Sequence, residues 1–249
     1  MNIAIIGGGH IGGACAMGLR DFASVTVTAR SSATLSKYEG TGIRALQDNA
    51  RAVREADVVM FCVKTSQMKE ATESVRGMLE GKTVVCMAAQ VSPEEMLEMT
   101  GGSVSLAYVI PNTAAAIGRS MTFIASVSAS DGEIATLQEI FAHVGKTAVV
   151  PMEMLPAGIS LASCGIGYAL HYISAAVKGG EKLGFSRSEA EDIVTQTVLG
   201  AALVMEASDD TAEQEVEKVA TPGGLTERGV RAMEENGFTQ AVVAGLCQE

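Results

Sequence analysis

The chain has 249 residues, 47% of them apolar and 19% charged, enough to bury a full core in one large or two modest domains. Its net charge of -11 is uneven, with 12 basic and 14 acidic side chains in residues 1–150 against 6 and 15 in residues 151–249. Such a surface repels phosphate backbones and anionic lipid, so neither nucleic acid nor a membrane is an expected partner.

The first element is an apolar strand over residues 2–6, which runs straight into Gly7-Gly8-Gly9-His10-Ile11-Gly12 and then a small-residue helix from Gly12 to Phe22. That order is the opening βαβ of a dinucleotide-binding domain. Gly7 permits the sharp turn, Gly9 lets the backbone approach a pyrophosphate, and Gly12 lets the helix pack closely on the sheet. The phosphate rests on unpaired N–H groups at the helix N-terminus. The second strand, residues 24–29, ends at Arg30-Ser31-Ser32 and offers no Asp or Glu for ribose hydroxyls. A guanidinium flanked by hydroxyls suits a 2′-phosphate, which favours NADPH and leaves NADH as a second usable cofactor.

Further strands near 57–62, 83–87, 104–109, 121–127 and 146–150 alternate with amphipathic segments, the last of them a helix from Asp131 to Val144. This alternation predicts an α/β fold, with a Rossmann domain carrying a doubly wound, mostly parallel sheet over residues 1–152. Pro151 and Pro156 bracket a change of character, and residues 153–249 read as an all-α dimerisation domain. Residues 154–184 form one long helix, rich in Ala, Gly and Ser and apolar on more than one face, which must be buried. A domain of this size has little room to bury it alone, so a homodimer through the C-terminal helices is expected. The capping box Ser186-Arg-Ser-Glu189 opens a helix that runs to Ala207. An acidic break at Ser208-Asp209-Asp210, a short helix, the turn Thr221-Pro222-Gly223-Gly224-Leu225-Thr226 and two short helices follow.

Cys15, Cys62, Cys86, Cys164 and Cys247 form no C-x-x-C pair, and His10, His143 and His171 are scattered. Reduced structural thiols and no metal are therefore expected. The N-terminus enters a strand within two residues and lacks a basic flank, apolar core and cleavage site, so a cytoplasmic location is expected.

A nicotinamide domain followed by an all-helical one suggests hydride transfer in the cleft between them. Two polar loops stand out. Pro111-Asn112-Thr113 follows a strand at the end of the sheet where open α/β folds place ligands. In the Thr221–Thr226 turn, paired glycines leave backbone N–H groups free to converge on a carboxylate, with Thr226 opening a helix beside them. Read as structure alone, the same turn is a tight turn with Thr226 as an ordinary N-cap.

The ordered set Gly7-Gly8-Gly9-His10-Ile11, Val63-Lys64, Ala88-Ala89, Pro111-Asn112-Thr113, Gln196-Thr-Val-Leu-Gly-Ala-Ala202, Pro222-Gly223-Gly224 and Gly237-Phe238 resembles pyrroline-5-carboxylate reductase across essentially the whole chain. The resemblance implies NAD(P)H-dependent reduction of the cyclic imine acid 1-pyrroline-5-carboxylate to L-proline, the last step of proline synthesis. It also implies a Rossmann-plus-helical architecture and an intertwined dimer, often assembled further into rings. By position, Ile6 to Ile11, Gly12, Asn49, Val63, Lys64, Ala88 and Ala89 would line the dinucleotide, with Arg30 and Ser31 at its 2′-phosphate. Asn112 would stand near the nicotinamide. Gly223, Gly224, Leu225 and Thr226 would hold the substrate carboxylate, with the Thr226 hydroxyl near the imine nitrogen. The chain departs from the family pattern at Tyr108 (usually Arg), Thr65 (usually Pro), Gln90 (usually Gly), Cys164 and Ile166. Two other readings stay open on the residues: a reductase of another cyclic imine or small acid, and an NADPH-binding regulator without turnover.

Overall fold

In the computed structural model, which describes residues 1–248, the Val/Ile runs of the first half become one eight-stranded sheet. The chain forms β1 (Asn2–Ile6), α1 (His10–Leu19), β2 (Ser24–Thr28), α2 (Ser32–Leu35), β3 (Arg44–Leu46), α3 (Asn49–Arg54), β4 (Val58–Phe61) and α4 (Thr65–Glu73). Then come β5 (Thr83–Cys86), α5 (Pro93–Thr100), β6 (Ser105–Ile110), β7 (Ser120–Ser126), α6 (Asp131–Ala142), β8 (Gly145–Val149) and the short α7 (Leu155–Gly158). The strand order is β3-β2-β1-β4-β5-β6-β7-β8. Every neighbouring pair is parallel except β6 and β7. The order reverses between β1 and β4, so the crevice outside their carboxyl ends is the ligand-binding position of this topology.

Strand alternation sorts the core into two layers. Ile3, Ile5, Val25, Val27 and Met60 face one side with Cys15, Leu19, Leu137 and Phe141 from α1 and α6. Ala4, Ile6, Val59, Phe61 and Cys86 face the other with Val53, Met68 and Met96 from α3, α4 and α5. Both faces are covered, as a parallel sheet requires, and the strands accordingly read as continuous apolar runs. The capping boxes Ser92–Glu95 and Ser130–Glu133 start α5 and α6.

The chain divides into two compact units, Met1–Cys164 and Gly165–Glu249. In the second lie α8 (Gly165–Lys182), α9 (Arg187–Ala207), α10 (Ala212–Val219), α11 (Leu225–Glu235) and α12 (Phe238–Leu246). Helices α8 and α9 pack where small residues meet: a Cβ on Gly180 would stand 2.8 Å from that of Ala190. Tyr172 of α8 meets Phe238 of α12 edge to face with centroids 6.4 Å apart. The Ser186–Glu189 capping box is formed, and Ser186 holds the Glu189 carboxyl below its ordinary range.

Three sequence expectations need correction. The strand β3 is unanticipated, because Arg44-Ala45-Leu46 has no β-branched run and pairs only by lying beside β2. The first helix spans 10–19 instead of 12–22, because Gly9 with extended backbone is its N-cap. The single helix foreseen over 154–184 is instead a 3-10 turn at Met152–Met154, α7, a π-helical segment at Ile159–Cys164, and α8. Such wider turns recur at functional sites. Helix α8 is open within this chain, where the sequence left little room to bury it: Leu170 and Tyr172 are 57% and 43% exposed.

Candidate active site

The glycine loop between β1 and α1 is built by hydrogen bonds that fold it over the end of β2. The N–H groups of Gly7 and Gly8 both donate to the Thr28 carbonyl, at 3.0 and 2.8 Å. The buried Tyr38 hydroxyl donates to the Gly8 carbonyl at 2.9 Å. Gly7 has φ +110, and a Cβ there would lie 2.8 Å from the Cys62 backbone, so only glycine makes this turn. A Cβ on Gly12 would lie 2.1 Å from the Gly7 carbonyl oxygen, so α1 approaches the loop more closely than any side chain permits. At Gly9 the same construction meets nothing within 4 Å. Gly9 therefore borders open space beside the first amides of α1, which have no partners within the helix. That is the cradle a pyrophosphate fills.

The loop opens on a cavity of about 370 Å³. Ile6, Gly7, Gly8, Gly9, Arg30, Asn49, Val63 and Lys64 line it, as placed from sequence. His10, Ile11, Gly12, Ser31, Ala88 and Ala89 do not. His10 and Ser31 lie exposed, Gly12 is buried, Ile11 packs on the core, and Ala88-Ala89 follow β5. The wall also contains Thr28, Gln47, Gln67, Glu70 and Ser74, which sequence reasoning missed. The last three sit at helical spacing along one side of α4 and its C-cap, a period-3.6 stripe legible in Gln67, Glu70 and Ser74. Asn49 braces the cavity: its Oδ1 accepts from the Thr28 hydroxyl at 2.7 Å, and its Nδ2 donates to Ser74 Oγ at 3.3 Å. The Gln47 amide donates to the Arg30 carbonyl at 3.0 Å, and Arg30 Nη1 stands 3.9 Å from a Glu70 carboxylate oxygen. The glycine cradle and a guanidinium on the wall of one cavity fit a dinucleotide bearing a 2′-phosphate.

Asn112 is 7% exposed and serves as an anchor. Its Oδ1 accepts from the Ala114 N–H at 3.0 Å, its Nδ2 donates to the Ala162 carbonyl at 3.3 Å, and its own N–H donates to Ser120 Oγ at 3.0 Å. It thus ties the turn after β6 to the π-helical segment. Three of the departures from the family pattern meet around the loop after β5. The buried Tyr108 hydroxyl donates to the Val91 carbonyl at 2.6 Å, and the Thr65 hydroxyl donates to Gln90 Oε1 at 3.3 Å. Burial and the neighbouring Cys86 push the Tyr108 phenol well above its ordinary range. Burial also raises the Cys15 thiol to about 12 and lifts Cys62 and Cys86, so these thiols stay protonated and inert.

In the second unit, the Thr221–Thr226 turn differs from expectation. The glycine amides are not free: Gly223 N–H donates to the Glu227 carboxylate, and Gly224 N–H to the Thr221 carbonyl at 2.8 Å. The N-cap of α11 is Gly224, and Thr226 is the second helical residue, not a cap. The unpaired donors are therefore the first amides of α11, those of Leu225 and Thr226. Thr226 lines a largely apolar hollow of about 390 Å³ with Ala201, Val204, Val216 and Val230.

The fold and the cavity define a dinucleotide-dependent oxidoreductase with an appended helical unit. One family model, described as pyrroline-5-carboxylate reductase dimerisation, matches residues 153–248, and another, described as NADP oxidoreductase coenzyme F420-dependent, matches residues 2–90. Pyrroline-5-carboxylate reductase of Pisum sativum is 32% identical over 85% of this chain and 78% of its own length. Pyrroline-5-carboxylate reductase 1 of Dictyostelium discoideum is 29% identical over 98% of this chain, which spans about half (48%) of that protein. The crystal structure of Plasmodium falciparum pyrroline carboxylate reductase with NADP bound superposes with a TM-score of 0.90, covering 99% of this chain and 94% of that one at 21% identity. The chain belongs to the pyrroline-5-carboxylate reductase family.

Proposed function

We propose that this chain is a homodimeric, cytoplasmic enzyme that reduces 1-pyrroline-5-carboxylate to L-proline with NADPH. The observation that carries the reading is the single cavity that joins the glycine cradle to Arg30, in a chain whose family acts on this imine. The NADP in the Plasmodium falciparum relative supports the same cofactor.

When bound, the reduced nicotinamide supplies a hydride. A protonated imine accepts one readily, so no buried base is needed and orientation is the main contribution of the protein, with reacting atoms held about 3 to 3.5 Å apart. The first amides of α1 hold the pyrophosphate, Arg30 pairs with the 2′-phosphate, and the Thr28–Asn49 pair forms the wall beside them. In the helical unit, the Leu225 and Thr226 amides receive the substrate carboxylate, joined by that of Gly223 once Glu227 turns away. The Thr226 hydroxyl orients the imine nitrogen by a hydrogen bond. It does not act as a general acid, since an ordinary hydroxyl is a poor proton source at neutral pH.

The dimer rests on the dimerisation match and on the exposed apolar side chains of α8 and α9. The stretch Met152–Lys182 is long and apolar enough to cross a membrane by length and composition. Its small residues and its place inside the dimerisation match favour a second copy as its cover. Five free thiols suit a reducing compartment.

The test is NADPH oxidation by purified protein with 1-pyrroline-5-carboxylate, beside 1-piperideine-2-carboxylate. Robust turnover of the five-membered imine is expected. Preference for the six-membered one would reassign the substrate, and NADPH binding without turnover of either would leave a binding role.

A further inference from the structure

The end of β2 offers Arg30 and no carboxylate, yet the folded protein brings a carboxylate there from another element. Glu70, on the stripe of α4 that faces the cavity, reaches across the opening to within 3.9 Å of Arg30 Nη1. The neighbouring Lys69 is directed elsewhere, to Glu73 at 4.0 Å. Among the described residues, Arg30 is the cation paired with Glu70. Both side chains are about three-quarters exposed, at 72% and 77%, so the pair is weak and exchangeable.

Resting on the cofactor reading above, we propose that Glu70 is a specificity-determining residue that competes with the 2′-phosphate of NADPH for Arg30 and so narrows the preference for NADPH over NADH. A 2′-phosphate that pairs with Arg30 must displace the Glu70 carboxylate from it. A neutral 2′-hydroxyl does not meet that cost. Coulomb attraction between unit charges about 4 Å apart in a water-exposed site, reduced by salt, sets the competition at about five-fold in affinity.

The test is the affinity of the full chain for NADPH and for NADH, measured by titration calorimetry at low ionic strength. Glu70→Gln removes the charge and keeps the shape. NADPH binding is expected to tighten about five-fold, with NADH shifting less than about two-fold. The gain is expected to vanish when Arg30→Ala is added, and to shrink in high salt, signatures that a structural role of Glu70 would not produce. No gain, an equal gain for NADH, or a gain that survives Arg30→Ala would overturn the role of Glu70 alone. Wild-type protein that binds neither dinucleotide would overturn the cofactor reading as well.

Discussion

In the unit formed by residues 1–164, Ile3, Ile5, Val59, Met60, Phe61, Leu106 and Phe141 are all at or below 1% exposure. From Gly165 onward, Leu170, Leu199, Leu203 and Val243 are each at least half exposed, and among the described residues only Val177 and Ala190 are buried. The contrast is geometrical. A sheet has two broad faces, and helices on either side close both within one chain. The five helices of the second unit have no such cover, and they lie in the stretch that matches a dimerisation family model. The first unit closes its own core, and the second leaves apolar side chains open.

If the sheet unit holds the cofactor and the helical unit the substrate, the two functions separate by mutation. The largest expected effect is on turnover: Thr226→Ala should lower kcat by about 100-fold, the scale of losing one orienting hydrogen bond to the reacting group. NADPH affinity, measured directly, should stay within about two-fold. Parallel loss of both would erase the division of labour.

Next comes the interface. Leu203→Glu places a charge where a half-exposed leucine of α9 is to be covered. Losing the burial of one leucine, about 2 kcal/mol, should weaken self-association by at least about 30-fold in sedimentation experiments, with NADPH binding retained. An unchanged dimer would move the interface to another face of the helices.

Within the sheet unit, two glycines of one loop should fail differently. Gly12→Ala forces a methyl against the Gly7 carbonyl and should cost about 1 to 3 kcal/mol of stability, read as a lowered urea midpoint. Gly9→Ala has open space for its methyl and should leave the midpoint unchanged while weakening NADPH binding, because the methyl occupies the cradle. Equal loss of stability in both variants would argue against a phosphate cradle.

The smallest effect near neutrality is a pH slope. Cys15, Cys62 and Cys86 hold their protons in the folded sheet unit above the ordinary thiol value of 9.0, Cys15 to about 12. Above about pH 9 the unfolded chain binds fewer protons than the folded one, so stability present below that pH is lost as pH rises toward 12, by at most ~1.4 kcal/mol per pH unit per thiol. Cys15→Ala should flatten the slope of the urea midpoint against pH. An unchanged slope would assign it to other groups.

Much of this was legible in the order of residues. Local rules need only neighbours: the apolar runs of β1, β2, β4 and β5, the glycine turn, and the Ser186–Glu189 cap were read at nearly their observed positions. Arg30, expected at the 2′-phosphate, and Asn49, placed by the family resemblance, both lie on the cavity wall. What was not legible depends on partners far away in sequence. Strand β3 exists because β2 offers it an edge, and the π-helical segment lies where Asn112, fifty residues upstream, grips the Ala162 carbonyl. Tyr108, Thr65 and Gln90, three separate oddities in the sequence, become one cluster around the loop after β5.

The sequence by itself determined the fold class and the dinucleotide fingerprint, because strand alternation, helical period and glycine turns are set by residues a few positions apart, and it pointed to the family through the resemblance of its ordered motifs. Only the tertiary structure decided that Glu70 faces Arg30, that Glu227 holds the Gly223 amide, and that the helical unit leaves its apolar faces open. Those depend on which surfaces the folded chain brings together, and no short-range pattern encodes that.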